Sequence, residues 1–189
     1  MGEYLFQESI STFIEQKLQE AKAKAEQLTP EQLKGSDLAA TLEKIATFRF
    51  DIASLKPDQR TGRRRTEKRK RMDYGREIVV DVDIIDVTIP FDGWPKSFSL
   101  APSSCRIIET PAAINKDSKI QVSFLDDQNL EQNVNSFVEG VSQNLRTLGA
   151  ELQRIAPQML QAAQLVANKR LQQIREREER DKTRSFPIE

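Results

Sequence analysis

The chain contains no histidine among its 189 residues and only one cysteine, Cys105. Histidine is the commonest general base near neutral pH and the commonest metal ligand, so its absence removes the usual starting point for both kinds of site. A single cysteine forms neither an intrachain disulfide nor a thiolate metal cage, and we interpret Cys105 as a small, partly buried residue in a strand. The chain also lacks a glycine-rich phosphate loop. The sequence therefore predicts a protein that is not an enzyme and has no catalytic residue, no metal and no cofactor.

Long apolar runs are missing as well. The opening residues, MGEYLFQESIST, lack the apolar core of a signal peptide. No apolar run approaches the ~20 residues that cross a bilayer. Basic and acidic residues balance at 29 each, so the chain as a whole does not attract nucleic acid or a membrane surface. We expect a cytoplasmic protein with no membrane partner.

A long apolar stripe near the C-terminus is the strongest pattern that is present. From residue 130 to about residue 184, apolar residues recur at alternating steps of three and four, the spacing of an α-helical stripe and of a coiled-coil seam. The ten positions of this seam are Val134, Val138, Val141, Leu145, Leu148, Leu152, Ile155, Met159, Ala162 and Val166. Pro157 lies inside the pattern without changing its phase. Because an interior proline costs about 3 kcal/mol, we expect one long helix that is kinked near Pro157.

The chain ahead of this helix changes from helical to strand periodicity. Helical spacing covers residues 4–28 and 37–47, and Thr29 and Pro30 mark the start of a short helix between them. Strands are predicted over 48–52, 77–90, 97–100, 105–109 and 119–125. The alternation slips at Ile84 and Ile85, which predicts a bulge or a bend.

This order predicts the α+β class, because strands do not alternate with helices. The expected divisions are an N-terminal helical segment (1–47) packing on the core, an antiparallel β region (48–127), the long helix (128–184) and a tail (185–189). The β region is expected to form a small antiparallel sheet or sandwich of about five strands.

A basic segment interrupts the β region. Residues 56–76, KPDQRTGRRRTEKRKRMDYGR, have almost no apolar side chains, which predicts an exposed loop between two strands. Its nine candidate binding residues are Arg60, Arg63, Arg64, Arg65, Lys68, Arg69, Lys70, Arg71 and Arg76. Clustered Lys and Arg neutralise phosphates, so one interpretation is salt-dependent binding of DNA or RNA, with Tyr74 able to stack on a base. Docking onto an acidic partner protein is a second interpretation, and a solvated loop is a third.

Two other groups are interpreted as structural. The strand 77–90 carries three acidic residues, Asp81, Asp83 and Asp86. Carboxylates at alternate positions can hold Mg²⁺. The outward face of an antiparallel strand gives the same pattern, and we favour this structural interpretation. The turn after this strand carries three large aromatic side chains that we expect to close one end of the sheet core. They are Phe91, Trp94 and Phe98.

The seam is longer than a small sheet needs for cover. We therefore expect the half before Pro157 to lie on the sheet and the half beyond it to meet another chain. The expected partner is a second copy in a homo-oligomer or a separate effector protein in a hetero-complex. The expected interface residues are Ile155, Met159, Ala162, Val166, Leu171 and Ile174.

Several phrases of the second half occur in a recognisable order. TIPFDGWPKSFSLAPSS is followed by the strand KIQVSFL, by the helix NLEQNVNSFVEGVSQNLRTL, by the basic stretch ANKRLQQ and by SFPI. Over residues 78–188 this order resembles an uncharacterised bacterial module that often precedes an effector domain in stress or phage-defence systems. The chain departs from that module in its basic segment and in ending where an effector would begin, so it is either a stand-alone version or a fragment.

Two functions remain open from the sequence. The resemblance and the seam predict a non-enzymatic interaction and assembly module, a component of a bacterial antiviral defence system. The basic segment predicts the alternative, a nucleic-acid-binding accessory protein.

Overall fold

The computed structural model describes residues 2–184. They form two compact units: the first contains the chain up to Ile10 and Phe50–Ala150, and the second contains Ser11–Arg49 and the chain from Glu151 onwards. Among the described residues, no helix has the length and apolar character that a bilayer crossing requires. The tail expected over residues 185–189, with its SFPI phrase, lies outside the described residues.

The elements follow the predicted order of helices, strands and a long helix. The helices are α1 (Ile10–Glu26), α2 (Pro30–Lys34), α3 (Leu38–Ile45), α4 (Leu130–Leu152) and α5 (Ile155–Lys182). The strands are β1 (Glu8–Ser9), β2 (Ser54–Leu55), β3 (Thr61–Asp73), β4 (Arg76–Asp92), β5 (Leu100–Ala101), β6 (Ala112–Asn115) and β7 (Lys119–Leu125). The predicted α+β class is confirmed, with N-terminal helices, a five-stranded antiparallel sheet and a long, bent C-terminal helix.

The sheet of the first unit is built on β4. This strand pairs with β7 along one edge, and with β2 and β3 along the other, while β6 extends the sheet beyond β7. The β-branched residues of β4 favour this extended backbone. Alternate side chains of β4 and β7 point to one face and form the core with α4. That core includes Val87, Ile89, Phe91, Ile120, Val122, Phe124, Val134, Phe137, Val141 and Leu145.

The bulge predicted in β4 is absent from the described structure. Residues of β3 and β4 pair one to one from Thr61–Thr88 to Asp73–Arg76, and β4 and β7 pair one to one from Ile84–Leu125 onward. A bulge would have shifted one of these registers by a residue. The change in alternation at Ile84 and Ile85 instead coincides with the end of the pairing between β4 and β7.

Three predicted strands are wrong. Where a strand was predicted over residues 97–100, the structure has a 3₁₀ turn, Pro95–Phe98, and only Leu100 belongs to a strand, β5. Residues 48–52 contain only an isolated bridge between Ile52 and Trp94, and the ring of Phe50 packs edge-on against Trp94 at 4.2 Å between centroids. Residues 105–109 form an irregular loop, because a side chain of α4, Asn144, bonds the backbone of Arg106 in place of a neighbouring strand.

Aromatic side chains close one end of the core, as predicted for Phe91 and Phe98. Both are buried, and their rings meet edge-to-face at 4.8 Å. Trp94 is 37% exposed and lies at the margin with Phe50.

The second unit has its own core between short helices and α5. Leu28, Leu33 and Leu42 pack with Ala163 and Ala167 of α5, where small residues let backbones approach closely. The predicted start of α2 is confirmed as a capping box: Gln32 N–H donates to Thr29 Oγ1 at 3.3 Å, and Thr29 N–H donates to Gln32 Oε1 at 2.8 Å.

The bend in the C-terminal helix lies at residues 153–154, between α4 and α5. Pro157 is the third residue of α5, where its missing N–H has no intrahelical partner to lose. The predicted kink near Pro157 is thereby explained by a restart of the helix just ahead of the proline.

The expectation that the seam beyond Pro157 meets another chain is wrong for its first three residues. Ile155, Met159 and Ala162 are buried within this chain. The remaining three, Val166, Leu171 and Ile174, are half-buried against the core of the second unit. The short helices near the N-terminus supply the cover that the sheet alone was too small to give.

Candidate nucleic-acid interface

The segment predicted as a basic loop is strand β3, and this correction defines the candidate site. A single short 3₁₀ turn, Pro57–Gln59, leads into β3, which then pairs with β4 for its whole length. A highly charged strand forms here because β4, its partner, has strong β propensity and a tight turn closes the hairpin. The prediction of exposure was right: all but one of the thirteen residues of β3 are exposed.

The outer part of this hairpin projects from the sheet as a two-stranded arm. Pairing of β4 with β7 ends at Ile84, whereas pairing with β3 continues from Thr66–Asp83 to Asp73–Arg76. Eight residue pairs at 3.3 Å per residue give a projection of about 25 Å. We call residues 66–83 the β-arm. Most of its backbone has no strand partner on the outer edge of either strand among the described residues.

Side chains of the hairpin divide between two faces, because directly paired residues of an antiparallel ladder point to the same side. On one face, which we call the arginine face, β3 supplies Arg63, Arg65, Glu67, Arg69, Arg71 and Asp73, and β4 supplies Arg76, Ile78, Val80 and Val82. On the opposite, lysine face, β3 supplies Arg64, Thr66, Lys68, Lys70 and Met72, and β4 supplies Glu77, Val79, Asp81 and Asp83. The arginine face thus carries five arginines with the acids Glu67 and Asp73, whereas the lysine face carries three cations with three acids.

Ion pairs neutralise only part of the arginine face. Arg65 Nη1 lies 2.8 Å from Glu67 and its Nε lies 2.8 Å from Asp86, while Arg69 lies 3.7 Å from Glu67. Arg63, Arg71 and Arg76 have no ion pair within the described residues. Arg71 and Arg76 are therefore available to a ligand without breaking an ion pair of the fold, as is Arg63, although its charge helps to lower the pKa of Asp86, directly opposite it in the ladder.

Acidic groups neutralise most of the lysine face. Arg64 pairs with Asp126 at 2.6 Å and Lys70 pairs with Glu77 at 2.7 Å. Lys68 stands directly opposite Asp81 in the ladder. The two faces therefore differ in electrostatic potential, and the arginine face is the more positive.

Arg60, grouped with these residues in the sequence, lies outside the β-arm. Its guanidinium donates to Asn135 at 2.9 Å and pairs with Glu131 at 3.3 Å, both in the first turns of α4. The structure thus brings together eight of the nine predicted basic residues on one hairpin and assigns the ninth to the sheet–helix contact.

The alternating carboxylates of β4 do not converge. Asp83 accepts a hydrogen bond from Thr66 at 2.7 Å on the lysine face, whereas Asp86 lies on the arginine face and accepts from Ser123 at 2.6 Å. Burial opposes ionisation of Asp86, but the hydrogen bonds from Ser123 and Arg65 outweigh it and hold the pKa of Asp86 below its usual range. In residues 2–184, no three acidic or cysteine side chains cluster as metal ligands.

Sequence reasoning predicted the exposure of Met72 and Tyr74 within residues 56–76 but missed that of the aliphatic residues on the β4 side of the β-arm. Met72, Tyr74 and Val79 are 66%, 101% and 61% exposed, and Ile78 is 37% exposed. Ile78 and Val79 belong to an apolar run that reads as a buried strand. They are exposed because the hairpin extends beyond the end of β7, so no neighbouring strand or helix of the described residues packs on them.

A concave region borders the loop at residues 105–110. A cleft of about 460 Å³ lies between this loop, β7 and the start of α4. Burial raises the pKa of the thiol of Cys105, the first residue of this loop, which favours its protonated form. This cleft offers no charged cluster comparable with the β-arm.

Comparison with protein-family models, curated proteins and solved structures gave no match for this chain.

Proposed function

We propose that the chain is a non-enzymatic, cytoplasmic nucleic-acid-binding protein and that the β-arm is its binding element. The observation that carries the proposal is a set of guanidinium groups without ion pairs, within the described residues, on one face of the hairpin: Arg71 and Arg76 on the β-arm, and Arg63 where the hairpin joins the sheet. Arginine forms paired hydrogen bonds with phosphate oxygens and is the residue that such contacts favour.

The shape of the β-arm supports the same ligand. A two-stranded ribbon fits the major groove of B-form DNA, which is about 12 Å wide, whereas the deep and narrow major groove of A-form RNA excludes it. The exposed edges of the ribbon would face the groove walls, where backbone N–H groups can donate to phosphates. Binding of this kind depends on salt and carries little sequence preference.

Fluorescence anisotropy with labelled DNA and RNA duplexes, between 50 and 200 mM salt, tests the proposal. The test variant is Arg63→Gln, Arg71→Gln, Arg76→Gln, which breaks no ion pair of the described structure. We expect its affinity to fall at least tenfold at about 100 mM salt, with a shallower salt dependence, because three phosphate contacts are lost.

A control variant removes the same charge elsewhere. Arg49, Lys169 and Arg175 are exposed and lie outside the β-arm, so Arg49→Gln, Lys169→Gln, Arg175→Gln matches the test variant in net charge. Equal loss of affinity in both variants would show that binding depends on the overall charge of the protein and not on these three arginines. Absence of binding by the unaltered chain would overturn the proposal.

A second candidate function is assembly with a separate effector protein, the role that the resemblance to the bacterial defence module implies. The specific observation in its favour is the exposed aliphatic pair Ile78 and Val79 beside unpaired strand edges, since such edges add strands from other chains. Light scattering on the full chain checks self-assembly, and Val79→Lys should abolish it if the edge is the contact. If the chain is monomeric at high concentration, self-assembly is excluded. A hetero-complex then remains, and a pull-down from the native host would test for it.

A further inference from the structure

Tyr74 occupies the tip of the β-arm in a conformation that its residue type disfavours. It is the first of the two residues that connect β3 to β4, with φ +45°, and Gly75 follows with φ +78°. Positive φ at both central residues is the signature of a type I′ hairpin turn, in which Asn or Gly is preferred at the first position. A bulky side chain there is an outlier that costs free energy.

Burial explains a comparable outlier elsewhere but does not explain Tyr74. Phe6 also has positive φ (57°), yet its side chain is 5% exposed in the core, and its N–H donates to Phe98 O at 2.7 Å. Tyr74 is 101% exposed. Its ring therefore gains nothing within the described fold that offsets the unfavourable backbone.

We propose that Tyr74 is a base-contacting residue whose ring stacks on a nucleobase when the β-arm binds nucleic acid. This inference rests on the proposed function of the β-arm. An exposed phenol ring at the end of a cationic stem matches a nucleotide, in which a flat π-face is attached to phosphate. Arg71 and Arg76 lie on the arginine face within three residues of the ring, close enough along the hairpin to serve the flanking phosphates.

An anionic membrane is the other surface that attracts cations beside exposed apolar groups, and the tip fits it less well. Asp73 adjoins the turn and Glu77 stands directly opposite Met72, so that insertion of Tyr74 and Met72 would carry two carboxylates towards anionic headgroups. In a nucleic-acid complex, the ring alone enters the stack while these carboxylates stay in solvent. The stacked base comes either from a single strand or from an opened step of a duplex.

The experiment compares Tyr74→Asn and Tyr74→Phe with the unaltered chain. Asn suits the turn and keeps the hairpin, so Tyr74→Asn should retain or raise thermal stability. Its affinity for a labelled DNA should fall about fivefold or more, since stacking is worth about 1–3 kcal/mol per base, while the salt dependence stays unchanged because no phosphate contact is lost. Tyr74→Phe should bind like the unaltered chain, and Tyr74→Trp should show quenched emission on binding.

The probes are a 20-nucleotide single strand, its matched duplex, and vesicles containing phosphatidylserine. A loss confined to the single strand or to the duplex identifies the source of the stacked base. Unchanged affinity of Tyr74→Asn, together with loss in the arginine variant, would overturn this inference and leave the proposed function standing. Binding of the unaltered chain to vesicles but not to nucleic acid would overturn both.

Discussion

Asn144 binds both backbone polar groups of Arg106. Its Oδ1 accepts from the Arg106 N–H at 2.8 Å, and its Nδ2 donates to the Arg106 carbonyl at 2.8 Å. Asn144 is fully buried in α4. The side-chain amide thus replaces a strand partner for the loop at residues 105–110, and fixes that loop against the helix.

Removal of the Asn144 amide should destabilise the first unit. Asn144→Ala leaves a partly buried donor and acceptor without partners, which costs about 1–3 kcal/mol. Urea unfolding followed by circular dichroism measures the change. Arg106→Ala is the matched control: its side chain is exposed and the contact uses only its backbone, so its unfolding midpoint should stay close to that of the unaltered chain. Similar midpoints for the two variants would contradict the assigned role of Asn144.

A glycine of α4 makes room for the same loop. A Cβ added at Gly140 would lie 2.7 Å from Cδ1 of Ile108, which is packed against the core of the first unit. Alanine normally stabilises a helix interior by about 1 kcal/mol relative to glycine. We expect Gly140→Ala to lose that gain or to destabilise the protein, because Ile108 must move.

Ile108→Val removes the obstructing Cδ1 atom and supplies the second arm of a double-mutant cycle. In the valine background, Gly140→Ala should become more favourable than in the unaltered chain, and thermal unfolding of the four proteins measures the difference. Strict additivity would show that Ile108 does not set the cost.

Acidification should remove the contribution of Asp86. Because its pKa in the folded state lies below the usual range, the stabilisation is present above the unfolded pKa and is lost as the pH falls through the folded value. The difference in melting temperature between the unaltered chain and Asp86→Asn should therefore be constant above about pH 5 and shrink below about pH 4. Asp81→Asn, on an exposed residue of the opposite face, is the control for general charge effects. A difference that persists unchanged at pH 2 would contradict this assignment.

Periodicity revealed the elements that bury a regular face. The seam from Val134 to Val166 and the alternation of β7 were readable because each buries one stripe or one side. The strand expected over residues 105–109 failed because a side-chain amide took the place of a ladder, and local sequence carries no sign of that choice. The seam beyond Pro157 was assigned to another chain because nothing in the pattern links α5 with the short helices a hundred residues earlier.

The sequence predicted which residues form the candidate site but not the structure that holds them. Composition identified eight basic residues of the hairpin, but it also suggested a loop, since a charged run has no apolar alternation to reveal a strand. The pairing partner β4 decided the outcome, and with it the separation of Arg71 from Lys70 onto opposite faces. The sequence already suggested Tyr74 as a stacking residue, but its unfavourable backbone conformation in the turn is visible only in the structure.

The β-arm should be dispensable for folding. Arg65 and Ile84 are directly paired in the ladder, so an Asn-Gly turn can join them after removal of residues 66–83. The shortened hairpin keeps every pairing of β4 with β7 and leaves the core of the first unit intact. Because an isolated two-stranded ribbon is only marginally stable, its removal should change the melting temperature by no more than a few degrees.

The same deletion removes Arg71, Arg76 and Tyr74 and keeps Arg63, so binding to nucleic acid should fall far below that of the unaltered chain under the proposed function. Circular dichroism and anisotropy on one preparation separate the two outcomes, because a folded protein that no longer binds DNA places the ligand on the β-arm. A folded deletion variant that binds as tightly as the unaltered chain would place the ligand elsewhere. A large fall in melting temperature would show that the arm supports the sheet, and the unpaired arginines would then have to be tested only by substitution.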